Sequence, residues 1–166
     1  MSSTPRPAVE RMRPPKAPYV LVNRVLGALL SSPRRSARVG EHLILLHVVG
    51  RKTGRLLRFP VAYRRVADGR LLVLTNSPWR VNLRDRPDVE VTLSGVRHGA
   101  RAELVEDPAA VARVYRELIE QAGHRRAGRR MGIRINVDRT PTLEELAEAV
   151  RRDGLSLVYL TLDRRT

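Results

Sequence analysis

Short apolar runs broken by glycine-bearing turns dominate the middle of the chain, and longer stripes at helical spacing flank them. Leu43 to Val49 (LILLHVV) is apolar and partly β-branched, the pattern of a buried strand. Leu57 to Val66 and Leu71 to Thr75 flank Asp68-Gly69, a tight hairpin signal because glycine tolerates positive φ. Val89 to Leu93 alternates in and out, and Ser94-Gly95 returns the chain to a partner at Ala100 to Val105. With Leu155 to Leu162 as a last strand, the pattern predicts about six mostly antiparallel strands, a meander that must curl or close to hide its edges.

The helical stripes cover this sheet. Pro18 to Leu30 carries Val22, Val25, Leu26 and Leu29 at helical spacing. Asp107-Pro108 caps a helix with Val111, Val114, Tyr115, Leu118, Ile119 and Ala122 on one face, ending at Gly123. Thr142 with Glu145 forms a capping box before Leu143, Leu146, Ala147 and Val150, and Gly154 ends that helix. The basic tract His124 to Arg134 reads as a loop or a loose helix. The expected fold class is α+β, mainly β, in one domain over residues 18–166 behind a disordered Pro- and Arg-rich tail, residues 1–17.

Composition changes this picture in two ways. None of the 166 residues is Cys, which excludes disulfides, thiolate metal sites and a cysteine nucleophile. The four histidines show no tight ligand spacing, so no metal is expected. The formal charge is +15, which invites a nucleic-acid partner, yet the arginines are scattered and Lys16 and Lys52 are the only lysines. A generally positive surface that draws anionic ligands is the expectation, with no dedicated nucleic-acid partner. No secretory signal or membrane span is read, so the expected location is cytoplasmic. Peripheral contact with the inner membrane face is open to a surface helix near Arg24, Arg34 and Arg35.

The chemistry concentrates after the first apolar strand. Gly50-Arg51-Lys52-Thr53-Gly54 offers two flexible residues, a run of backbone N–H groups, two cations and a hydroxyl, the components of a phosphate cradle. An exposed basic hairpin turn is the plain alternative. A second cluster, Asn76-Ser77-Pro78-Trp79-Arg80-Val81-Asn82-Leu83, holds the only tryptophan. Asn76 or Ser77 is placed to cap a short helix opened by Pro78, with Trp79 packing on a planar ring and Asn82 fixing the turn; a core Trp79 with a structural Asn82 is the other reading.

Taken in order, the strand, GRKTG, a strand with Arg58 and Pro60, the Asp-Gly hairpin, Trp79 to Leu83, and Arg86-Pro87-Asp88-Val89-Glu90-Val91 resemble the deazaflavin-dependent nitroreductase family of actinobacteria. That family consists of split β-barrel proteins related to pyridoxamine-phosphate oxidase and FMN-binding proteins. The resemblance implies an oxidoreductase that passes a hydride from reduced coenzyme F420 to a small electron-poor acceptor such as a quinone, nitro-aromatic or activated alkene. It places the cofactor phosphate near Arg51, Lys52 and Thr53 between Gly50 and Gly54, and the ring near Pro60 and the Trp79 segment. FMN in the same turn, a non-catalytic cofactor or lipid carrier, and a nucleic-acid binder are the rival readings. The chain departs from the family's best-studied branch in a shorter loop before Trp79 and in Arg80 after it. Tyr63 is the candidate proton donor, while Tyr115, His42, His47, His98 and His124 read as structural. A homodimer is expected from the habit of such barrels.

Overall fold

The computed structural model describes residues 4–13, 24–25, 27–31, 34 and 42–164. These residues divide into two compact units, one built from Met1–Arg13, Leu74–Ser77 and Val105–Leu157 and the other from Pro14–Val73, Pro78–Leu104 and Val158–Thr166. The sequence reading of one domain behind a tail does not anticipate that division. Of the helix expected over Pro18 to Leu30, residues 24–25 and 27–30 are helical, and the rest lies outside the described residues.

The second unit holds most of a curled sheet. The strands of that sheet are β2 (Leu43–Val49), β3 (Leu56–Ala62), β4 (Arg64–Arg65), β5 (Leu71–Thr75), β6 (Asp88–Leu93), β7 (Val96–Val105) and β9 (Ser156–Leu162), in the order β3-β2-β6-β7-β9-β5-β4; the last two residues of β5, the last of β7 and the first two of β9 fall in the first unit. The pairs β2–β3, β2–β6, β6–β7 and β4–β5 are antiparallel. The two outermost strands, β3 and β4, are consecutive in the chain and only Tyr63 separates them. One residue spans at most about 3.6 Å. The sheet must therefore curl until its two outer strands approach each other at that joint, which gives a half-closed barrel. This seven-stranded, mainly β barrel with helices elsewhere in the chain is the α+β split-barrel architecture expected from the pattern.

Strand alternation decides what the barrel encloses. Ile44, Leu46 and Val48 of β2 join Leu71, Val73, Val89, Val91, Ala100, Ala102, Val158 and Leu160 in one buried cluster. On the opposite face of β2, His47 is buried and its Nε2 shares a 2.8 Å hydrogen bond with Thr92 Oγ1. The cross-strand neighbours of His47 are Arg58 and Glu90, and Glu90 is ion-paired with Arg97. Burial first, then the charges of Arg97 and Arg58, hold the His47 pKa below its ordinary value. Buried and bonded to Thr92, His47 completes a sheet face.

The first unit is helical. It holds β1 (Val9–Arg11), α1 (Pro108–Ala122), α2 (His124–Met131), β8 (Ile133–Ile135) and α3 (Leu143–Asp153). Asp107 caps α1 by accepting from the Ala110 N–H at 2.9 Å, and Thr142 and Glu145 close the predicted capping box on α3. Val111, Tyr115 and Ile119 of α1 and Leu146, Ala147 and Val150 of α3 are buried, as the stripes require, whereas Ala122 and Leu143 of the same stripes are exposed.

One expectation fails here. Val9–Arg11 is no disordered tail, because it pairs antiparallel with Ile133–Ile135. Val9 is 1% exposed, and Arg11 N–H donates to Asp153 Oδ2 at 3.0 Å. A partner more than a hundred residues away supplies what local composition lacked. Of the two readings left open for His124 to Arg134, loop or loose helix, the helix holds over His124–Met131: Ala127 and Met131, four residues apart, are buried, and Gly132 ends it in the left-handed region. Gly128 sits where a Cβ would come within 2.7 Å of the Ile133 carbonyl. The glycine read as a loop signal is instead a close-approach residue.

Candidate functional site

The glycine turn joins β2 to β3. Gly50 N–H donates to Arg55 O at 2.8 Å and Gly54 N–H returns to Gly50 O at 2.9 Å. Gly54 has φ +67, a left-handed conformation that glycine adopts without strain. Arg55 N–H donates to Thr53 Oγ1 at 3.3 Å. These bonds draw the turn into a closed loop whose residues 51–54 are all exposed.

The turn is tied to the second cluster predicted from sequence. Pro78–Leu83 forms a 3-10 helix, and its Asn82 is the link. Asn82 Oδ1 accepts from the Arg51 N–H at 2.9 Å, while its amide donates to Trp79 O at 2.8 Å. Arg51 adds a second tie, since Nη1 donates to Val81 O at 3.2 Å and Arg84 O at 3.4 Å. Part of the guanidinium expected to fork onto a phosphate is thus engaged as a brace. Lys52 has no hydrogen-bond or ion-pair partner among the described residues, which leaves its ammonium free for an anion.

Trp79 does not stand alone. Its ring stacks on Phe59 with centroids 5.4 Å apart and planes inclined by 18°, and it packs against the barrel core while remaining half-buried. Phe59 was missed in the sequence, although the signal was there. It lies between Arg58 and Pro60 on β3, and alternation puts it on the opposite face from both. The register agrees: Phe59 faces Leu46 of the buried cluster, whereas Arg58 faces His47 and Pro60 faces Leu45.

The expected site residues therefore sort into groups. Gly50 to Gly54, Asn82 and Trp79 are brought together. Arg58 and Pro60 occupy the other face of β3. Asn76 and Ser77 belong to the helical unit, where the Asn76 amide donates to Gly132 O at 3.4 Å and Ser77 N–H donates to Thr75 Oγ1 at 3.1 Å. Tyr63, at the β3–β4 joint, packs against the barrel core and donates its backbone N–H to His42 O at 2.8 Å.

The residues suit a planar ring bearing a phosphorylated tail. Neither Gly50 to Pro60 nor Asn76 to Arg84 contains an Asp or Glu, so no carboxylate in these segments competes for Lys52 or repels an anion. A free ammonium, exposed N–H groups at Lys52 and Thr53, and a partly exposed aromatic pair supply an anion grip and a flat apolar surface within one unit. Among the described residues no group of three or more His, Cys, Asp or Glu could hold a metal ion, and no helix is long and apolar enough to cross a membrane.

Several solved structures are similar to this chain at low identity. A conserved hypothetical protein of Mycobacterium tuberculosis is 19% identical over 85% of this chain and 80% of its own, with a TM-score of 0.42. An FMN-binding, pyridoxamine 5'-phosphate oxidase-related protein of Nostoc punctiforme is 15% identical over 84% and 78%, with a TM-score of 0.46. A protein described as an F420 reductase is 16% identical over 82% and 92%, with a TM-score of 0.41. No curated protein matches the chain. Residues 16–139, which include the turn, the 3-10 helix and most of the barrel, match the family described as F420H(2)-dependent quinone reductase. On that match the chain belongs to the F420H(2)-dependent quinone reductase family and is a reductase whose cofactor is F420.

Proposed function

We propose that this reductase passes a hydride from reduced F420 to a small electron-poor acceptor, a quinone foremost, with nitro-aromatics and activated alkenes as further acceptors of the same electronic kind. The observation that carries this reading is the tie from Arg51 through Asn82 to Trp79, which fixes a cationic turn and an aromatic surface in one frame. Lys52 and the exposed N–H groups of the turn hold the phosphate, and the Phe59–Trp79 pair offers the ring a flat apolar neighbour. Bound F420 supplies the hydride donor, a chemistry that belongs to the cofactor.

The protein's own residues bind, orient and exclude water. Holding donor and acceptor carbons at near-attack distance is the main catalytic contribution required. The acceptor also needs a proton. Tyr63 is the side chain assigned to that task, with solvent able to replace it, because reduced quinones and nitro compounds exchange protons readily with water. A homodimer belongs to the same reading, on the exposed apolar side chains Val49, Leu56 and Val96 of the sheet; light scattering on the purified chain tests it.

Titrating F420 and, separately, FMN into the protein while following Trp79 fluorescence tests the cofactor assignment, and mixing reduced F420 with menadione tests turnover. Quenching by F420 at lower concentration than by FMN, followed by oxidation of the reduced cofactor, is the expected result. Tight binding without oxidation would replace the enzyme by a carrier. Preference for FMN would move the activity to the flavin rival.

A further inference from the structure

The helical unit carries a second basic feature that the cofactor turn does not use. Arg125, Arg126, Arg129 and Arg130 lie within the eight residues of α2, and they form one wall of an open groove of about 1160 Å³ whose other wall is β8 and the segment running to Asp138. Arg125 pairs with Asp138 at 3.0 Å. Arg126, Arg129 and Arg130 are exposed, and no hydrogen bond or ion pair engages their side chains among the described residues. Among the described residues Asp138 is the only carboxylate lining the groove, and it is already engaged by His124 Nε2 at 2.9 Å as well as by Arg125.

The two walls are fixed to each other and to the N-terminal strand: Gly128 brings α2 against the backbone of β8, and Met12 N–H donates to Gly132 O at 2.9 Å. At 100° per residue, Arg126, Arg129 and Arg130 spread over about a quarter of the helix circumference, and residues three or four apart on a helix stand about 5–6 Å from each other. The three arginines thus project from one side of α2 and line the groove together. A planar carboxylate is matched by one fork, whereas a tetrahedral phosphate presents oxygens to several. The groove's apolar lining, Met12, Ile135 and Val137, has no aromatic ring to stack on bases, which argues against a single-stranded nucleic acid.

We propose that this groove binds an oligophosphate, a chain of two or more linked phosphates that is either inorganic or carried by a nucleotide, at a site separate from the cofactor turn. Recognition runs through Arg126, Arg129 and Arg130.

Calorimetric titration of the full-length protein with tripolyphosphate, ATP, citrate, a short DNA duplex and anionic phospholipid vesicles tests this. Tripolyphosphate is expected to bind with an affinity that falls as salt rises. The double variant Arg129→Gln/Arg130→Gln should weaken it at least about tenfold, the scale of losing charge-assisted hydrogen bonds. Arg113→Gln/Arg151→Gln, the same change of charge on α1 and α3, should leave it within about twofold, and circular dichroism should show all three proteins equally folded. Equal affinity for ATP assigns recognition to the phosphate chain alone, and tighter ATP binding adds the nucleoside to it; both support the proposal. Citrate binding as tightly, or duplex or vesicles binding more tightly through the same arginines, would overturn the assignment to an oligophosphate. Tripolyphosphate binding that survives the α2 variant, or is weakened equally by the control pair, would overturn the site.

Discussion

The cofactor turn and the arginine face of α2 carry similar charge on different scaffolds. In the turn, side-chain cations are accompanied by a closed backbone loop, exposed N–H groups and an aromatic pair, and Asn82 and Arg51 tie the parts together. On α2 the ligand-facing groups are side chains alone, because the helix backbone is already bonded within itself. A site that must hold a ring in register for hydride transfer needs the first kind of construction; a groove that only accumulates negative charge can do with the second. Elsewhere in the helical unit arginines are neutralised locally, as where Arg139 meets Glu145 at 2.7 Å and Arg152 meets Asp153 at 3.0 Å. Free cations in this Arg-rich chain are therefore informative where paired ones are not.

Breaking the turn's grip should have the largest effect. Lys52→Ala removes the free ammonium, and we expect F420 binding to weaken by about 1–3 kcal/mol, the range for a hydrogen bond to a charged group, while Arg129→Gln/Arg130→Gln leaves it unchanged; fluorescence titration of both variants reads the difference. Asn82→Ala cuts the tie between turn and 3-10 helix without touching a cation. A loss of about 1 kcal/mol in cofactor affinity is expected, with Asn82→Asp retaining the Arg51 bond and recovering part of it.

Thr142→Ala, which opens the capping box of α3, should cost about 1 kcal/mol of stability with no change in F420 affinity, a result that thermal melts and titration together would show. The same box has a pH signature. Hydrogen bonds from Arg139 and from the Thr142 N–H hold the Glu145 pKa down, from 4.5 to about 2. A depressed carboxylate stabilises the fold above its unfolded pKa and loses that contribution as pH falls from about 4.5 toward 2. The Glu145→Gln melt should therefore converge on the wild type at the acid end of that window, whereas Thr142→Ala, which removes a cap that does not titrate, should keep its deficit. The smallest effect is expected from Tyr63→Phe. Solvent can supply the proton, so turnover with menadione should change by less than about twofold; a loss of a hundredfold would make Tyr63 the obligatory donor.

Features whose physics is local were legible in the sequence. Thr142, Glu145 and Gly154 mark both ends of α3 within a dozen residues, Asp107-Pro108 marks the start of α1, and Gly50 to Gly54 announces a turn wherever the chain takes it. The pairing of Val9–Arg11 with Ile133–Ile135 was not legible, because a three-residue strand acquires its meaning only from a distant partner. The choice between loop and helix at α2 was left open for a related reason: four arginines and a glycine mask the Ala127 and Met131 pair that anchors it. In the candidate site, the motif identified the turn and Trp79, but grouping Arg58 and Pro60 with Trp79 neglected the alternation that turns Phe59, and not its neighbours, toward the tryptophan. The wrapped sheet was expected in outline; its closure through the single residue Tyr63 depends on strand order, which periodicity does not encode.

The central claim is that the braced turn grips the cofactor's anionic tail through Lys52. A binding cycle tests it most directly: wild type and Lys52→Ala, each titrated with F420 and with a deazaflavin analogue that lacks the phosphate-bearing tail. The account predicts that the analogue binds both proteins equally weakly, so that the lysine matters only when the tail is present. An equal loss on Lys52→Ala for both ligands would contradict it.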